Sequence, residues 1–276
     1  MPSLVGSEMC IRDSYETVQF DNGFLPLLAP MSEVAGRMAT QVGAQMLTKI
    51  EGGMGLLMGG TAGVQAAHVV ILGAGTVGLS AAKVAMGMGA RVTILDSNLF
   101  RLRQIDDLFG GRIQTLASNA FNIAAATKDA DLLVGSVLIP GALTPKLVTE
   151  AMVKTMKPGS AIVDVAIDQG GCIEPTAKHG ATYHDKPTFK YPVNGGEVVC
   201  YSVGNMPGAV ARTSTFTLTN ATMPYMVDLA NKGWKKACQD DKALARGINT
   251  YDGKVYFKGV SDALGYELHC TCDILK

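Results

Sequence analysis

Apolar and polar positions along the middle of the chain follow two alternating rhythms. Val69–Leu72 and Val92–Leu95 are apolar runs, the second interrupted only by Thr93, and the residues between them repeat apolar positions at helical spacing. A short apolar run bounded by glycine reads as a buried strand, and a three-to-four spacing reads as a helix. The same alternation continues downstream. It predicts a helix over Leu99–Phe109, a strand over Arg112–Leu116, a helix around Ala120–Thr127 and a strand over Ala130–Gly135. A helix over Pro145–Met156 and a strand over Ala161–Val165 follow. Strands alternating with helices predict an α/β fold with a doubly wound parallel sheet.

The flanks carry other patterns. Tyr15–Phe20 reads as a strand, Asp21-Asn22-Gly23 as a turn and Phe24–Leu28 as an apolar run. Ser32 is placed to cap a helix reaching about Ile50, with Val34, Met38, Val42, Met46 and Leu47 on one face. Gly52–Gly63 is a glycine-rich connection. Its GGTAG segment lacks the Gly-Lys-Ser/Thr ending and the preceding strand of a phosphate loop. Past Pro207, Thr213–Leu229 reads as a helix that Pro224 kinks or restarts. A second helical stretch, Asn231–Gly247, is anchored by Trp234, and Asp252-Gly253 joins Ile248–Tyr251 to Lys254–Phe257 as a hairpin. Met1–Ser14 shows no period, resembles a translated adapter remnant and is read as non-native.

Composition narrows the class. Hydrophobic residues make up 47% and charged residues 17% of the 276, enough for a large core and too apolar for disorder. Twenty-four basic residues balance 24 acidic ones, which gives no footprint for nucleic acid or an anionic membrane. Glycines and charges interrupt every segment long enough to span a bilayer. Cys10, Cys172, Cys200, Cys238, Cys270 and Cys272 are scattered, and His269-Cys-Thr-Cys272 lacks the spacing of a structural zinc site. No metal is expected, and unpaired thiols suit a reducing cytoplasm.

The chemistry is concentrated in Gly73-Ala-Gly75-Thr-Val77-Gly78, set between the first strand and its helix. Gly73 permits a sharp turn, Gly75 lets the backbone approach a pyrophosphate, and Gly78 lets the helix pack on the strand. The first helical turn, with Val77, offers N–H groups and the positive dipole end to phosphate. Asp96 closes the second strand, where an acid accepts hydrogen bonds from the adenosine ribose and repels a 2′-phosphate. The pattern predicts a Rossmann-type NAD site. Asp96, Val137, Leu138 and Asp168 all fall at carboxyl ends of predicted strands, where such sheets bind ligands.

Further motifs identify a family. Tyr15-Glu-Thr-Val18, Ala29-Pro-Met-Ser-Glu-Val-Ala-Gly36, the glycine turn, Leu138-Ile-Pro-Gly141, Asp164-Val-Ala-Ile-Asp-Gln-Gly-Gly171, Asn205-Met-Pro207, Thr213-Ser-Thr215 and Leu218-Thr-Asn-Ala-Thr222 resemble alanine dehydrogenase over roughly Ser14–Gly265. The resemblance implies reversible oxidative deamination of L-alanine to pyruvate and ammonia with NAD, in a cytoplasmic homo-hexamer. It implies a cofactor domain inserted in a substrate domain built from both chain ends. Residues 15–28 are then a remnant of an incomplete α/β substrate domain. Residues 29–207 are the NAD domain with its linking helix, and 208–276 the return to the substrate domain.

By the same resemblance Ser32 and Ala35 lie where the linking helix meets the nucleotide, and Arg101 and Ser118 lie on the adenosine side. Val137, Leu138 and Val165 supply backbone around the nicotinamide half. Asp168 is the catalytic-centre aspartate, beside the nicotinamide ribose and the substrate amine, and Asn205 and Met206 close over the ring. The family's carboxylate-binding arginine, substrate-binding lysine and catalytic histidine belong upstream of Tyr15, and nothing in Met1–Ser14 matches them. His68, His179, His184 and His269 read as structural or solvated. The chain is therefore expected to bind NAD and to turn over alanine poorly or not at all.

Two other functions fit part of the pattern. The NAD(H)-binding subunit of proton-pumping transhydrogenase shares the glycine turn, but Asp164-Val-Ala-Ile-Asp168 favours the dehydrogenase. A non-catalytic NAD-binding module is the second.

Overall fold

The computed structural model describes residues 11–13, 15–137 and 144–276. In chain order these begin with β1 (Ile11–Asp13), a 3-10 turn at Tyr15–Thr17 and α1 (Ala29–Met46). The alternating region follows as β2 (His68–Leu72), α2 (Thr76–Gly87), β3 (Arg91–Asp96), α3 (Leu99–Phe109), β4 (Gln114–Ala117), α4 (Ala120–Asp129) and β5 (Leu132–Gly135). Then come α5 (Glu150–Val153), β6 (Ala161–Asp164), a 3-10 turn at Val165–Gln169, α6 (Glu174–His179), β7 (Thr188–Val193) and β8 (Gly196–Tyr201). The last stretch holds α7 (Ala211–Asp240), α8 (Lys242–Ala245), β9 (Ile248–Tyr251), β10 (Lys254–Val255) and α9 (Lys258–Leu264).

Two compact units result. Of the described residues, 32–137 and 144–211 form one, and 11–13, 15–31 and 212–276 form the other. The first is built on a seven-stranded sheet in the order β4-β3-β2-β5-β6-β8-β7, parallel throughout except that β7 runs antiparallel to β8. This is the doubly wound parallel sheet that the alternation predicts. β2, β5 and β6 are buried at every position, as befits strands covered on both faces. Val70, Leu72, Leu133, Ile162 and Val198 join Ile123, Val153 and Met156 in one continuous core.

The second unit has its own sheet, β1-β9-β10, and a core of Val18, Leu27, Ala237, Leu244 and Ile248 with Trp234 against Tyr251. The Asp252-Gly253 hairpin is present, both turn residues having positive φ. β1 pairs with β9 inside the stretch read as non-native.

At the amino edge of the large sheet the strands are tied together by side chains. Asp131 accepts the His68 backbone N–H at 2.8 Å and pairs with Lys157 at 2.9 Å. The His68 ring lies between the Asp129 carboxylate at 2.9 Å and the Thr93 hydroxyl at 2.8 Å.

Several local expectations are corrected. Instead of a strand over 15–20 there is a 3-10 turn at Tyr15–Thr17 followed by irregular chain, and Ser32 lies inside α1, which begins three residues earlier at Ala29 with Pro30 in its first turn. The helix expected over Pro145–Met156 is confined to α5. Leu147 N–H and Val148 N–H both donate to Cys172 O, at 2.8 and 3.3 Å, which holds residues 147–148 extended until Thr149 caps the helix. In α7 the chain runs helically through Pro224 and breaks instead at Gly233, with φ 72° and ψ 158°. The hairpin of β7 and β8 went unanticipated, although Asn194-Gly195 is a strong turn signal. Cys270 and Cys272 are joined by a disulfide, and the other described cysteines, Cys172, Cys200 and Cys238, are buried and lie outside any disulfide. Among the described residues no helix is long and apolar enough to cross a membrane.

Candidate functional site

The glycine turn sits at the carboxyl end of β2, next to the gap between β2 and β5 where the strand order reverses. Gly73 has φ 97°, and a Cβ there would lie 3.0 Å from Ser136 O and 3.2 Å from Val137 Cγ2. A Cβ on Gly78 would collide with the Gly73 carbonyl oxygen and stand 2.9 Å from Ser136 Oγ. Gly75 is different: nothing lies within 4 Å of the place its Cβ would take. Gly75 is also the N-cap of α2 and supplies no side-chain cap, whereas Asn98 and Asn119 cap α3 and α4 through their side chains. Leading amides with no side-chain acceptor, open space beside them and a positive dipole end suit an anion.

Neighbouring elements fix this turn. Asp96 Oδ2 accepts the Ala74 N–H at 2.7 Å, and Arg101 Nε donates to the Ala74 carbonyl at 2.8 Å. Both polar groups of Ala74 are therefore held by charged side chains. The other Asp96 oxygen accepts the Asn98 N–H at 2.8 Å, and Ser118 N–H donates to the Asp96 carbonyl at 2.9 Å. Ser136 Oγ lies 2.7 Å from Leu72 O and 3.1 Å from Gly73 O, closing the turn from the β5 side. α1 packs on α2 where both are narrow. A Cβ on Gly36 would strike Val77 O, and Thr40 Oγ1 donates to Ala81 O at 2.9 Å. Ser32 and Ala35 lie within the helical turn before Gly36 on α1, Ala35 buried and Ser32 half-buried.

A second group stands at the carboxyl ends of β6 and β8. Asp168 is exposed on the 3-10 turn after β6, and its Oδ2 accepts the Asn205 N–H at 3.1 Å. Asn205 adopts φ 54°, and a Cβ on Gly204 would come within 2.7 Å of Asp168 Oδ1. Met206 is buried below Asn205, and Val165 is half-buried at the start of the same 3-10 turn as Asp168. Underneath lies Asp164, fully buried, which accepts from Cys172 N–H at 3.1 Å, Ile173 N–H at 3.2 Å and Ala166 N–H at 3.2 Å. Burial pushes its carboxyl pKa up, against the pull of these hydrogen bonds. Thr176 Oγ1 donates to Asp164 Oδ2 at 2.6 Å and lies 2.8 Å from Ile173 O, which also accepts the Ala177 N–H at 2.9 Å. Burial also raises the thiols of Cys172 and Cys200, the latter to about 12, and both face the Asp164 charge.

The structure thus gathers Gly73, Gly75, Val77, Gly78, Asp96, Arg101, Ser118 and Val137 around one turn, and Val165, Asp168, Asn205 and Met206 around another, on the same edge of one sheet. Leu138 lies outside the described residues. Sequence reasoning missed Ser136, whose only signal is a small polar residue closing an apolar strand. It also passed over Asp164 in favour of Asp168 in the same motif. His68 belongs to the amino-edge network, His179 stacks on Phe189 with centroids 3.7 Å apart, and His269 lies near Tyr256. His184 is exposed, beside Gly208 and Asn205.

A doubly wound sheet with an open glycine turn at its switch point and an acid ending the next strand defines a dinucleotide-binding domain. A family described as Alanine dehydrogenase/PNT, C-terminal domain, matches residues 39–258. The chain belongs to the alanine dehydrogenase/PNT family, whose members are NAD-dependent oxidoreductases. It is 58% identical over 250 residues to an alanine dehydrogenase from Methanococcus maripaludis, covering 91% of this chain and 65% of that one. A solved L-alanine dehydrogenase is 48% identical with a TM-score of 0.83, over 92% of this chain and 68% of that one. A transhydrogenase from Sinorhizobium meliloti is more distant, 25% identical with a TM-score of 0.65, over 84% of this chain and 61% of that one. The chain thus spans about two thirds of the length of its alanine dehydrogenase relatives.

Proposed function

We propose that the chain is the NAD-binding part of an L-alanine dehydrogenase, converting L-alanine, NAD and water to pyruvate, ammonia and NADH. The observation that carries this reading is the N-terminus of α2: no side chain caps it, Gly75 leaves space beside it, and Asp96 and Arg101 brace the turn. The residues fit the cofactor. Gly73, Gly75, Val77 and Gly78 would receive the pyrophosphate, and Asp96 the adenosine ribose hydroxyls, with Arg101 and Ser118 on the adenosine side. Ser32 and Ala35 would approach from α1. Val137, Leu138, Val165, Asn205 and Met206 would line the nicotinamide half. When bound, NAD supplies the hydride acceptor. Asp168 then orients the substrate amine or the attacking water, since its exposed carboxylate is fixed by Asn205 N–H. A cytoplasmic homo-hexamer accords with the same resemblance.

The transhydrogenase reading is weaker by both identity and TM-score. The test is titration of the chain with NADH and NADPH, followed by NAD and L-alanine with NADH absorbance as readout. NADH is expected to bind at least about tenfold more tightly than NADPH, and Asp96→Asn to narrow that gap. Absence of NADH binding refutes the proposal. Hydride exchange between two nicotinamide nucleotides without an amino acid favours the transhydrogenase reading. Alanine turnover by these residues alone shows that they complete the site without the upstream arginine, lysine and histidine. NADH binding without turnover shows that they do not.

A further inference from the structure

The loop bearing Asp168 is gripped from two sides, by a buried carboxyl group that accepts and an ammonium that donates. From within, Asp164 collects the N–H groups of Ala166, Cys172 and Ile173. From the other side, Lys146 Nζ donates to the carbonyls of Gly170 at 2.5 Å and Gly171 at 2.6 Å. These glycines, with φ of 87° and 75°, turn the chain back immediately after Asp168 and Gln169. Among the described residues no backbone N–H answers either carbonyl.

Lys146 stands at the centre of a strap. Thr144 N–H donates to Gln169 O at 3.0 Å, Leu147 N–H donates to Cys172 O at 2.8 Å, and Val148 bridges Ile173 in parallel. Along this ladder the two glycine carbonyls are left to the ammonium, whose compact head and three donors let it answer both at once. The loop has little room to drift on the Asp168 side, because Gly204 and Asn205 press directly against that carboxylate. A small shift of Gly170 and Gly171 is therefore passed to Asp168 and Val165.

We propose that Lys146 is a positioning residue. By holding the two glycine carbonyls it sets where Asp168 and the Val165 backbone stand toward the nicotinamide half of a dinucleotide. The inference rests on the cofactor reading above. Lys146 is exposed, so its replacement leaves the core intact.

The test uses the full chain as wild type, Lys146→Met and Lys146→Arg. Each is titrated calorimetrically with NADH and with ADP-ribose, which lacks the nicotinamide, and each is followed by hydrogen–deuterium exchange. Lys146→Met is expected to bind NADH about five- to tenfold more weakly while its ADP-ribose affinity stays within about twofold. Exchange should quicken in peptides spanning 165–173 and 204–206 and stay unchanged elsewhere. Lys146→Arg, which keeps charge and donors, should retain most of both properties and guards against a variant that merely fails to fold. Equal weakening toward both ligands, or unaltered exchange over 165–173, overturns the proposal. If the wild type binds neither ligand, the cofactor reading fails by itself. The exchange comparison then still decides: quickened exchange confined to the loop supports the clamp, and unaltered exchange refutes it.

Discussion

A methyl group on Gly78 would meet the Gly73 carbonyl and the Ser136 hydroxyl, both themselves fixed by β2 and β5. The helix must then back away from the turn. Gly78→Ala is expected to cost about 1–3 kcal/mol of stability and to weaken NADH at least about tenfold, read by thermal melting and fluorescence titration. An unchanged melt and affinity would mean that the turn is looser than its geometry. Asp164 gives a pH signature. Burial raises its pKa in the folded chain, so the native state holds that proton to a higher pH than the unfolded chain does. Between the ordinary carboxylate value and the raised one, the native state binds more protons, and stability falls as pH rises. Urea unfolding from about pH 4 to pH 8 should show this decline in the wild type and a flatter line in Asp164→Asn. A wild type whose stability rises through the same range from this group would contradict the assignment. At this scale Gly73, Gly75, Gly78 and Asp96 were legible because their spacing follows from one turn. Ser136 and Lys146 were not, since each acts on a carbonyl far away in sequence.

Among elements, the central parallel strands were readable because burial on both faces leaves them as near-continuous apolar runs. β4, at the edge, has exposed ends and was displaced by two residues from its expected start. Residues 145–149 carry a helical pattern, yet pairing with Cys172 and Ile173 holds them extended, a tertiary contact that no local propensity reports. In α7 proline was the visible breaker, but the helix absorbs Pro224 and bends at Gly233, whose φ and ψ suit glycine alone. Gly233→Ala should therefore cost about 1–3 kcal/mol, whereas Pro224→Ala should be neutral or mildly stabilising. Chemical unfolding of the two variants checks this, and the reverse order would place the break at Pro224.

For the whole molecule, the fold class followed from the order of patterns along the chain, and the seven-stranded sheet matches it. The antiparallel β7 did not follow, because an edge strand half-exposed on both faces, with Pro192 inside it, lacks the apolar signature of its neighbours. If the site lies where the geometry puts it, NADH should slow amide exchange at 73–78, 96–101 and 165–168. The amino-edge segments around His68 and Asp131 should stay unaffected. Protection spread evenly over both edges would argue against a site at the switch point. The amino edge, stitched by Asp131, Lys157 and His68, has a further consequence. These contacts join the strand starts at the end of the sheet away from the glycine turn, so they hold independently of what binds at the opposite edge. Exposed positions at the carboxyl rim, Asp168 among them, can then be exchanged while the strand starts stay tied.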